Sequence, residues 1–390
     1  MNGQMTTRAL RAALPATASI ILAVAPWAQA ADTAGMARGT PDIKSMSVLA
    51  FAEDGTLFIG DGQGGAVFAV ALGDDRPPAK QGEEAGLRDV EAKIGARLGT
   101  SASEVMVHDM AVHPISQKIY LSVSRGRGKW DSNWILPNDI ADARALLRIA
   151  GESIDVVSLE DVPFARAALP NPVANGKKHD WKEGVELRAD TITDIALAGD
   201  TLYVAGLSNE EFASTMWRIP YPFGSDVATT TLENYHGAHG EYETNAPIRT
   251  FLPYRLNGSD HLLAAYLCTP LVTFPTADLK DGQHVKGRTI GEFGSGNYPI
   301  DMVVYKKNGV EQVLIANSNL PFLIVDPKKV EAFKGSITTE IEGYVAGVEY
   351  EYRSGSGILQ MDRLNGEFIV ALHRQAGGKV DLVSLPVGRF

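Results

Sequence analysis

Pairs of apolar segments separated by short turns recur six times along the chain. The second segment of each pair is rich in Val, Ile, Leu, Tyr and Phe, which favour β-strands, and has a small residue near its end. These segments are LFIGDG at 57–62, IYLSVSR at 119–125, LYVAGLSN at 202–209, LLAAYLC at 262–268, VLIANSN at 313–319 and FIVALHR at 368–374. Aligned, they place six small residues in one column: Gly60, Ser122, Ala205, Ala265, Ala316 and Ala371. A strand unit that is repeated in this way predicts a propeller or a related array.

Third strands follow most of the pairs, and candidate fourth strands follow several of them. Four antiparallel strands arranged radially form one blade of a propeller. We therefore predict an all-β fold, a β-propeller of six blades with four antiparallel strands in each. The alternative is seven blades, because the interval between Ser122 and Ala205 is long enough to hold one more. Part of 32–46 is expected to close the ring beside the last blade.

A single domain is predicted over 31–390, because no linker rich in Pro, Gly or Ser separates two regimes of composition. The intervals between repeats exceed the roughly 40–50 residues of common propeller repeats. Several connections must therefore carry insertions. We place these insertions at about 73–104, which is charged and predicted to be partly helical, and at about 126–142 and 160–190.

The first thirty residues have the pattern of a secretory signal peptide. Arg8 and Arg11 form a charged start, residues 12–25 are almost wholly apolar or small, and Ala28-Gln29-Ala30 has small residues at the positions that a signal peptidase prefers. The apolar run is too short to be a good membrane span. We predict a bacterial protein that is periplasmic or secreted, with no membrane association after cleavage.

Composition narrows the classes of partner. The formal net charge of −11 argues against nucleic acid and anionic membranes. Cys268 is the only cysteine, so no internal disulfide can form and the apolar core must hold the fold. We expect a monomer whose partner is a small-molecule ligand or another periplasmic protein.

The repeat register predicts which scattered polar residues share one rim of the propeller. In a four-stranded blade, the turn before the first strand and the turn between the second and third strands lie on the same face. One interpretation is a ring that binds a ligand or a calcium ion at the channel mouth, since hard oxygen ligands suit calcium. The other is that each Asp caps a turn by accepting backbone N–H bonds. The residues are Asp109, Asp194, Arg249 and Asp301 before or at the first strands, and Arg125, Asn209, Asn319, His373 and Arg374 after the second strands.

A second candidate site is the segment His236-Gly-Ala-His239-Gly-Glu241, with Glu243 close by. Two His and a carboxylate within six residues are possible ligands for zinc, copper or iron, and the small residues between them allow a loop to bend around an ion. Cys268 is expected on the same rim in the next blade and is a candidate fourth ligand. The alternatives are ordinary surface or turn histidines and a buried, inert thiol.

The repeat phrases, such as Asp301-Met-Val-Val followed by VLIANSN, resemble those of exported bacterial β-propellers in the broad lactonase-like and quinoprotein-like class. The resemblance extends over roughly 45–387, without a family signature motif. It implies a calcium ion at the channel mouth, held by Asp, Glu and Asn, which Asp109, Asp194, Asp301 and Asn319 could imitate. Arg249 stands in the same column, and its positive charge does not fit a ring that binds only a cation.

The sequence is compatible with two functions. The first is a binding protein that uses its channel-mouth face to bind a ligand, a metal ion or a partner protein. The second is a metal-dependent hydrolase of the lactonase or esterase type, in which a central cation polarises a carbonyl and a rim carboxylate or His373 transfers the proton. The possible cofactors are calcium at the channel and copper or zinc at the His236/His239 loop.

Overall fold

The computed structural model describes Met1 and residues 33–390, apart from 126–143, 180–185, Ser225 and Thr269. The predicted signal peptide beyond Met1 and the predicted insertion at 126–142 lie outside these residues. Among the helices that the structure describes, none has the length and apolar character needed to cross a membrane.

The described chain is almost entirely β-structure with two short helices, α1 (Val90–Leu98) and α2 (Pro327–Ala332). The strands up to the middle of the chain are β1 (Ala37–Gly39), β2 (Val48–Phe51), β3 (Thr56–Asp61), β4 (Ala66–Ala71), β5 (Val105–Val112), β6 (Ile119–Arg125), β7 (Arg144–Ala150), β8 (Ser153–Val156), β9 (Val162–Ala168), β10 (Asp194–Ala198), β11 (Thr201–Leu207), β12 (Ser214–Pro220), β13 (Ala228–His236) and β14 (Glu241–Glu243). The remaining strands are β15 (Thr250–Leu256), β16 (Ser259–Ala265), β17 (Pro270–Pro275), β18 (Gln283–Lys286), β19 (Arg288–Phe293), β20 (Pro299–Lys307), β21 (Val310–Asn317), β22 (Phe322–Val325), β23 (Val345–Gly347), β24 (Tyr350–Arg353), β25 (Ile358–Arg363), β26 (Phe368–Arg374) and β27 (Val380–Pro386).

The strands form a six-bladed β-propeller, as the repeat predicts. From the channel outward, blade 1 is β2-β3-β4-β9-β1, blade 2 is β5-β6-β7-β8 and blade 3 is β10-β11-β12-β13-β14, with β18 paired to β13. Blade 4 is β15-β16-β17-β19-β23, blade 5 is β20-β21-β22-β24 and blade 6 is β25-β26-β27. No seventh blade lies between Ser122 and Ala205 in the residues that the structure describes, because the described part of that interval completes blades 1 and 2.

The column of small residues is explained by how closely the blades pack. A Cβ added at Gly60 would lie 2.9 Å from Ile192 Cγ2 and 3.2 Å from Ile195 Cδ1 in blade 3. The second and third strands are the most deeply buried ones, and β3 and β4 are buried along their whole length. Apolar side chains from neighbouring blades fill the spaces between the sheets, which is the main source of stability for a chain of this size.

The blades do not follow one another around the ring in chain order. The first strand of blade 1, β2, lies beside β5 of blade 2 and β10 of blade 3, whereas β25 of blade 6 lies beside β5 and β20. The order around the ring is therefore blade 2, 1, 3, 4, 5 and 6. After blade 2 the chain returns to blade 1, where β9 adds the fourth strand. Part of the segment predicted as an insertion at 160–190 is thus a blade strand.

The ring is closed by an unexpected segment. The prediction that part of 32–46 pairs beside the last blade is wrong, because β1 pairs with β9 in blade 1. Leu87 instead pairs with Leu382 of blade 6, and Asp89 N donates to Asp381 Oδ1 (2.8 Å). This edge lies within the predicted insertion at 73–104, which also contains α1. The connection between blades 1 and 2 thus supplies the fourth, outer position of blade 6, which has the three strands β25, β26 and β27.

Candidate functional site

The first strands of the six blades surround a central channel with a cavity of about 890 Å³. Its lining runs from the start of the first strands to the turns at their far ends, where Gln81, Gln117 and Glu367 contribute. Four aspartates line it. Asp109, Asp194 and Asp301, which the repeat register predicts, lie opposite the column of small residues, toward the face that we call the rim face. Asp362 lies farther along its strand, opposite Val370.

Each of these carboxyls joins two neighbouring blades by accepting a backbone N–H bond from the first strand of the next blade. The distances are 2.6 Å from Leu49 N to Asp109 Oδ2, 2.7 Å from Phe251 N to Asp194 Oδ2, 2.6 Å from Met361 N to Asp301 Oδ2 and 2.7 Å from Val112 N to Asp362 Oδ2. In three of them the other oxygen accepts from the amide of the following residue. The capping interpretation therefore describes their contacts, and the bonds also reach across the blade interfaces.

The channel environment favours the protonated carboxyl. Burial raises the pKa of Asp194 to about 7 and that of Asp362 to about 6. Burial, together with the charges of the other channel carboxyls, raises the pKa values of Asp109 and Asp301 as well. These side chains are only partly exposed, and they line the channel cavity.

The channel ring is poorly shaped for direct calcium binding. Among the described residues, no three of the channel carboxyls offer oxygens within 4.8 Å of one another. Calcium requires six to eight oxygen ligands at about 2.3–2.6 Å. The oxygens here already accept backbone N–H bonds, so calcium at the channel is still only a prediction.

Arg249 is displaced from the channel. Thr250, and not Arg249, pairs with Ala265 in the position that Asp194 occupies opposite Ala205. The Arg249 side chain instead lies on the rim face, where Nη1 donates to Asp190 Oδ1 (3.0 Å) and the guanidinium carbon is 5.1 Å from the centre of the Tyr298 ring. Coulombic attraction to Asp190 outweighs burial and raises the pKa of Arg249.

The other predicted rim residues are tied to nearby loops, and none of them lines the described channel cavity. Arg125 Nη1 donates to Leu98 O, and Asn319 Nδ2 donates to Gly296 O. Asn209 N donates to Asn171 O, His373 Nδ1 contacts Gln375 Nε2, and Arg374 contacts Gly378 O and Glu91 Oε1. They share the rim face without forming one cluster, and their predicted role in ligand binding stays a prediction.

The His236/His239 segment does form a compact cluster with residues of the next blade. β13 ends at His236 and β14 begins at Glu241, so residues 237–240 make a tight turn, in which Gly240 has a φ of +71°. Potential ligand atoms of His236, His239 and Cys268 lie within 4.8 Å of one another. A second group, formed by His239, Glu241 and Glu243, meets the same criterion. The four metal ligands proposed from sequence, His236, His239, Glu241 and Cys268, are thus brought together around one turn.

Glu243 orients both histidines. Its Oε1 accepts hydrogen bonds from Nδ1 of His236 (2.7 Å) and from Nδ1 of His239 (2.9 Å). A carboxylate accepts but does not donate, so both Nδ1 atoms carry protons and each neutral ring keeps its lone pair on Nε2. Metal-binding histidines commonly have such a carboxylate partner. Burial alone would lower the pKa of His236, but the hydrogen bond to Glu243 and its charge outweigh burial and raise it.

Two buried polar atoms face each other beneath the turn. His236 Nε2 and Glu292 Oε2 are 3.9 Å apart, and neither atom has a hydrogen-bond partner among the described residues, although the Ala238 N–H also acts on the Glu292 carboxyl and lowers its pKa. Their side chains are 2% and 1% exposed, so water does not solvate them from outside. The other oxygen, Glu292 Oε1, accepts from Gly237 N (2.6 Å). Burial raises the pKa of Glu292 to about 7, and an unpaired buried polar group is costly unless another group satisfies it.

Cys268 is held in an unusual backbone conformation beside the histidines. Its φ is +62°, a region that residues with a side chain seldom occupy and that often marks functional positions. Its N–H donates to Asn297 O (2.8 Å), and its Sγ accepts from Gly296 N (3.4 Å). Loop contacts from blade 5 thus fix the thiol in the turn after β16.

Glu292 is the residue of this cluster that the sequence pattern did not reveal. A single acidic residue within the buried strand Arg288–Phe293 is the signal that could have found it. The sequence places Glu243 near the histidines but does not show its hydrogen bonds to both of them. Those bonds depend on the β13–β14 pairing, which places Asn234 opposite Glu243.

Comparison with known proteins gives only distant structural likenesses. No protein-family model and no curated protein matches the chain. Similar solved structures include the β-propeller domain of Cps50 (Swd1) from Myceliophthora thermophila, with 14% identity, 88% of this chain and 84% of that chain covered, and a TM-score of 0.36. Another, from Thermus thermophilus, is described as an oxidoreductase (glucose dehydrogenase), with 12% identity, 90% and 100% covered, and a TM-score of 0.34.

A third similar structure is the extracellular domain of a hybrid two-component system from B. thetaiotaomicron, with 10% identity and a TM-score of 0.33. It covers 86% of this chain, which spans only 32% of that protein's length. These likenesses are too distant to carry a functional argument.

Proposed function

We propose that the protein is an exported β-propeller that binds a transition-metal ion, copper or zinc, on its rim face between blades 3 and 4. The observation that carries the proposal is the compact group formed by ligand atoms of His236, His239 and Cys268, in which His236 Nε2 is buried without a hydrogen-bond partner among the described residues. An ion held by this group would give that nitrogen a partner. Export is supported by the signal-peptide pattern at the N-terminus.

The donor set indicates the kind of metal. Imidazole nitrogen and thiolate sulfur suit zinc and copper, whereas calcium and magnesium prefer oxygen. His236, His239 and Cys268 supply two nitrogens and one sulfur. Glu292 lies outside this group, with its Oε2 3.9 Å from His236 Nε2 on the buried side. Glu243 acts behind the ligands by holding the two imidazole rings in place.

Spectroscopy with cobalt tests this assignment, because Co²⁺ substitutes for zinc and gives a strong ultraviolet band when a thiolate binds it. We expect the metal-free mature protein to bind one Co²⁺ with a thiolate band, and Zn²⁺ to displace it. Cys268→Ser should remove the band. His239→Asn should lower the affinity for Co²⁺ by more than 100-fold. Loss of a residue that only hydrogen-bonds to a metal ligand costs roughly 10- to 100-fold.

His261→Asn is the matched control, because His261 lies on β16 outside both ligand groups. Its affinity for Co²⁺ should equal that of the unsubstituted protein. Circular dichroism should show that each variant keeps the fold. Stoichiometric binding that survives unchanged in both Cys268→Ser and His239→Asn would refute the site, as would no binding of Co²⁺, Zn²⁺ or copper at all.

A further inference from the structure

Two overlapping groups of potential ligands share His239. The inner group is His236, His239 and Cys268, and the outer group is His239, Glu241 and Glu243. Ligand atoms within each group lie within 4.8 Å of one another. An ion could therefore exchange its other ligands between the two groups while it keeps His239.

The two groups differ in depth and in chemistry. The outer group is open to solvent, since Glu241 is exposed and the His239 side chain is 48% exposed. The inner group reaches down to His236, whose side chain is only 2% exposed. The outer group offers mainly carboxylate oxygens, which bind hydrated divalent ions readily. The inner one offers nitrogen and sulfur, which hold zinc and copper more firmly.

The buried side of the cluster is covered by the segment 337–341. Ile341 N donates to Gly237 O (3.0 Å), and a Cβ at Gly237 would meet side-chain atoms of Ile337 and Ile341 at 2.9 and 3.2 Å. These contacts leave little space for an ion to enter on that side. His239 and Glu241 are the exposed members of the two groups, whereas Cys268 is half-buried and His236 is buried, so an ion from solvent meets His239 and Glu241 first.

We propose that His239, Glu241 and Glu243 form an outer position that an ion occupies on its way to and from the inner group, with Glu243 contributing Oε2 while its Oε1 keeps the hydrogen bonds from the two histidines. This inference rests on the proposed metal binding. Glu241 attracts the hydrated ion and replaces part of its water, and His239 then keeps hold of the ion while Cys268 and His236 replace the carboxylates. Glu241 thus sets how fast the ion is exchanged, and the inner group sets how tightly it is held.

Stopped-flow measurements with Co²⁺ test the outer position, because the thiolate band reports arrival at Cys268 and a chelator chase reports release. For Glu241→Gln we expect both rates to fall by about tenfold, the lower end of what local charges contribute to association. The dissociation constant should stay the same, because an intermediate lies on the path in both directions.

Glu340→Gln is the matched control. Glu340 packs against the same turn, 3.1 Å from a Cβ built at Gly240, but it belongs to neither ligand group, and the substitution removes the same charge. The inference is overturned if Glu340→Gln slows binding as much as Glu241→Gln, because only the local field would then matter. It is also overturned if Glu241→Gln weakens the affinity without slowing arrival. If the unsubstituted protein shows no thiolate band, the proposed metal binding itself fails.

Discussion

The channel and the interface between blades 3 and 4 both concentrate ionisable groups, but they differ in how those groups are satisfied. Asp109, Asp194, Asp301 and Asp362 each accept a backbone N–H bond from a neighbouring blade. Beneath the β13–β14 turn, His236 Nε2 and Glu292 Oε2 are buried without hydrogen-bond partners among the described residues. The carboxyls of the channel hold the ring together, whereas the interface keeps polar atoms available. Recurrence in the sequence marks the first region, and close packing of unlike ligand types marks the second.

The largest expected effect concerns Arg249, which carries a paired charge close to both regions. Arg249→Gln removes one partner of an ion pair whose side chains are 11% and 20% exposed. We expect the free energy of unfolding to fall by about 3 kcal/mol, because Asp190 keeps a buried charge with less compensation. Urea unfolding measures this loss. Arg255→Gln breaks an exposed ion pair and should change the free energy of unfolding little. Neither variant should alter the metal affinity. A weaker affinity in Arg249→Gln would mean that the channel and the interface between blades 3 and 4 are coupled.

The second prediction concerns the pH dependence of stability. The pKa of Asp194 is raised in the folded protein from about 4 to about 7, so folding takes up a proton between these values and the stability from this group is lost as pH rises from about 4 to 7. Asp194→Thr copies the residue that blade 4 carries at this position, Thr250. Over that pH range, the free energy of unfolding of the variant should fall by about 2 kcal/mol less than that of the unsubstituted protein.

Unfolding of the variant and of the unsubstituted protein should be compared at each pH, because His108, with a pKa lowered to about 4 by burial, acts in the opposite direction. Asp200→Thr, which replaces an exposed carboxylate of the same blade, is the control and should leave the slope unchanged. An equal slope in Asp194→Thr and the unsubstituted protein would show that the channel carboxyl is ionised throughout.

The third prediction concerns the carboxylate behind the histidines. Glu243→Gln should lower the metal affinity by about tenfold, because a neutral amide supports the two imidazole rings less well. Glu233→Gln is a close control, since Glu233 also pairs with a histidine, His284, and lies on β13. Competition with a chromophoric chelator measures both. Equal losses in the two variants would argue against a specific role for Glu243.

The smallest effect is expected at His373, a predicted rim residue of blade 6. His373→Asn should change the free energy of unfolding by less than about 0.5 kcal/mol, because the side chain is partly exposed and its described contact is to Gln375. Metal affinity should not change. Loss of binding of a ligand or partner in this variant would instead support a functional rim.

The sequence pattern predicted the six blades and much of the channel ring, because strands and hairpin turns depend on local chemistry. It missed Asp362, which lies opposite Val370, one residue past the column of small residues. It misplaced Arg249 because the pairing register shifts between Pro299 and Asp301 in blade 5 but not in blade 4, and such irregularities leave no clear mark in the sequence. A similar shift between Val107 and Asp109 lets Asp109 face the channel beside its neighbour His108.

The turn from His236 to Glu241 was also visible from sequence alone, because its residues are close together in the chain. The approach of Cys268 could be expected only from the assumption that consecutive blades share a rim. The residues that contact Cys268 could not be predicted from the sequence. The contact with Glu292 depends on how β19 pairs with β17 at a register shift between Leu271 and Val272.

The repeated strands, the small residues between blades and the clustering of two histidines in one turn can be recognised without a structure, because each follows from the chemistry of neighbouring residues. The order of blades 2 and 1 around the ring and the pairing of Leu87 with blade 6 are visible only in the folded chain. The same holds for the position of Glu292 Oε2 beside His236 Nε2, where neither atom has a hydrogen-bond partner among the described residues. These contacts join residues far apart in the chain, and their formation depends on closing the whole ring, which no local pattern records.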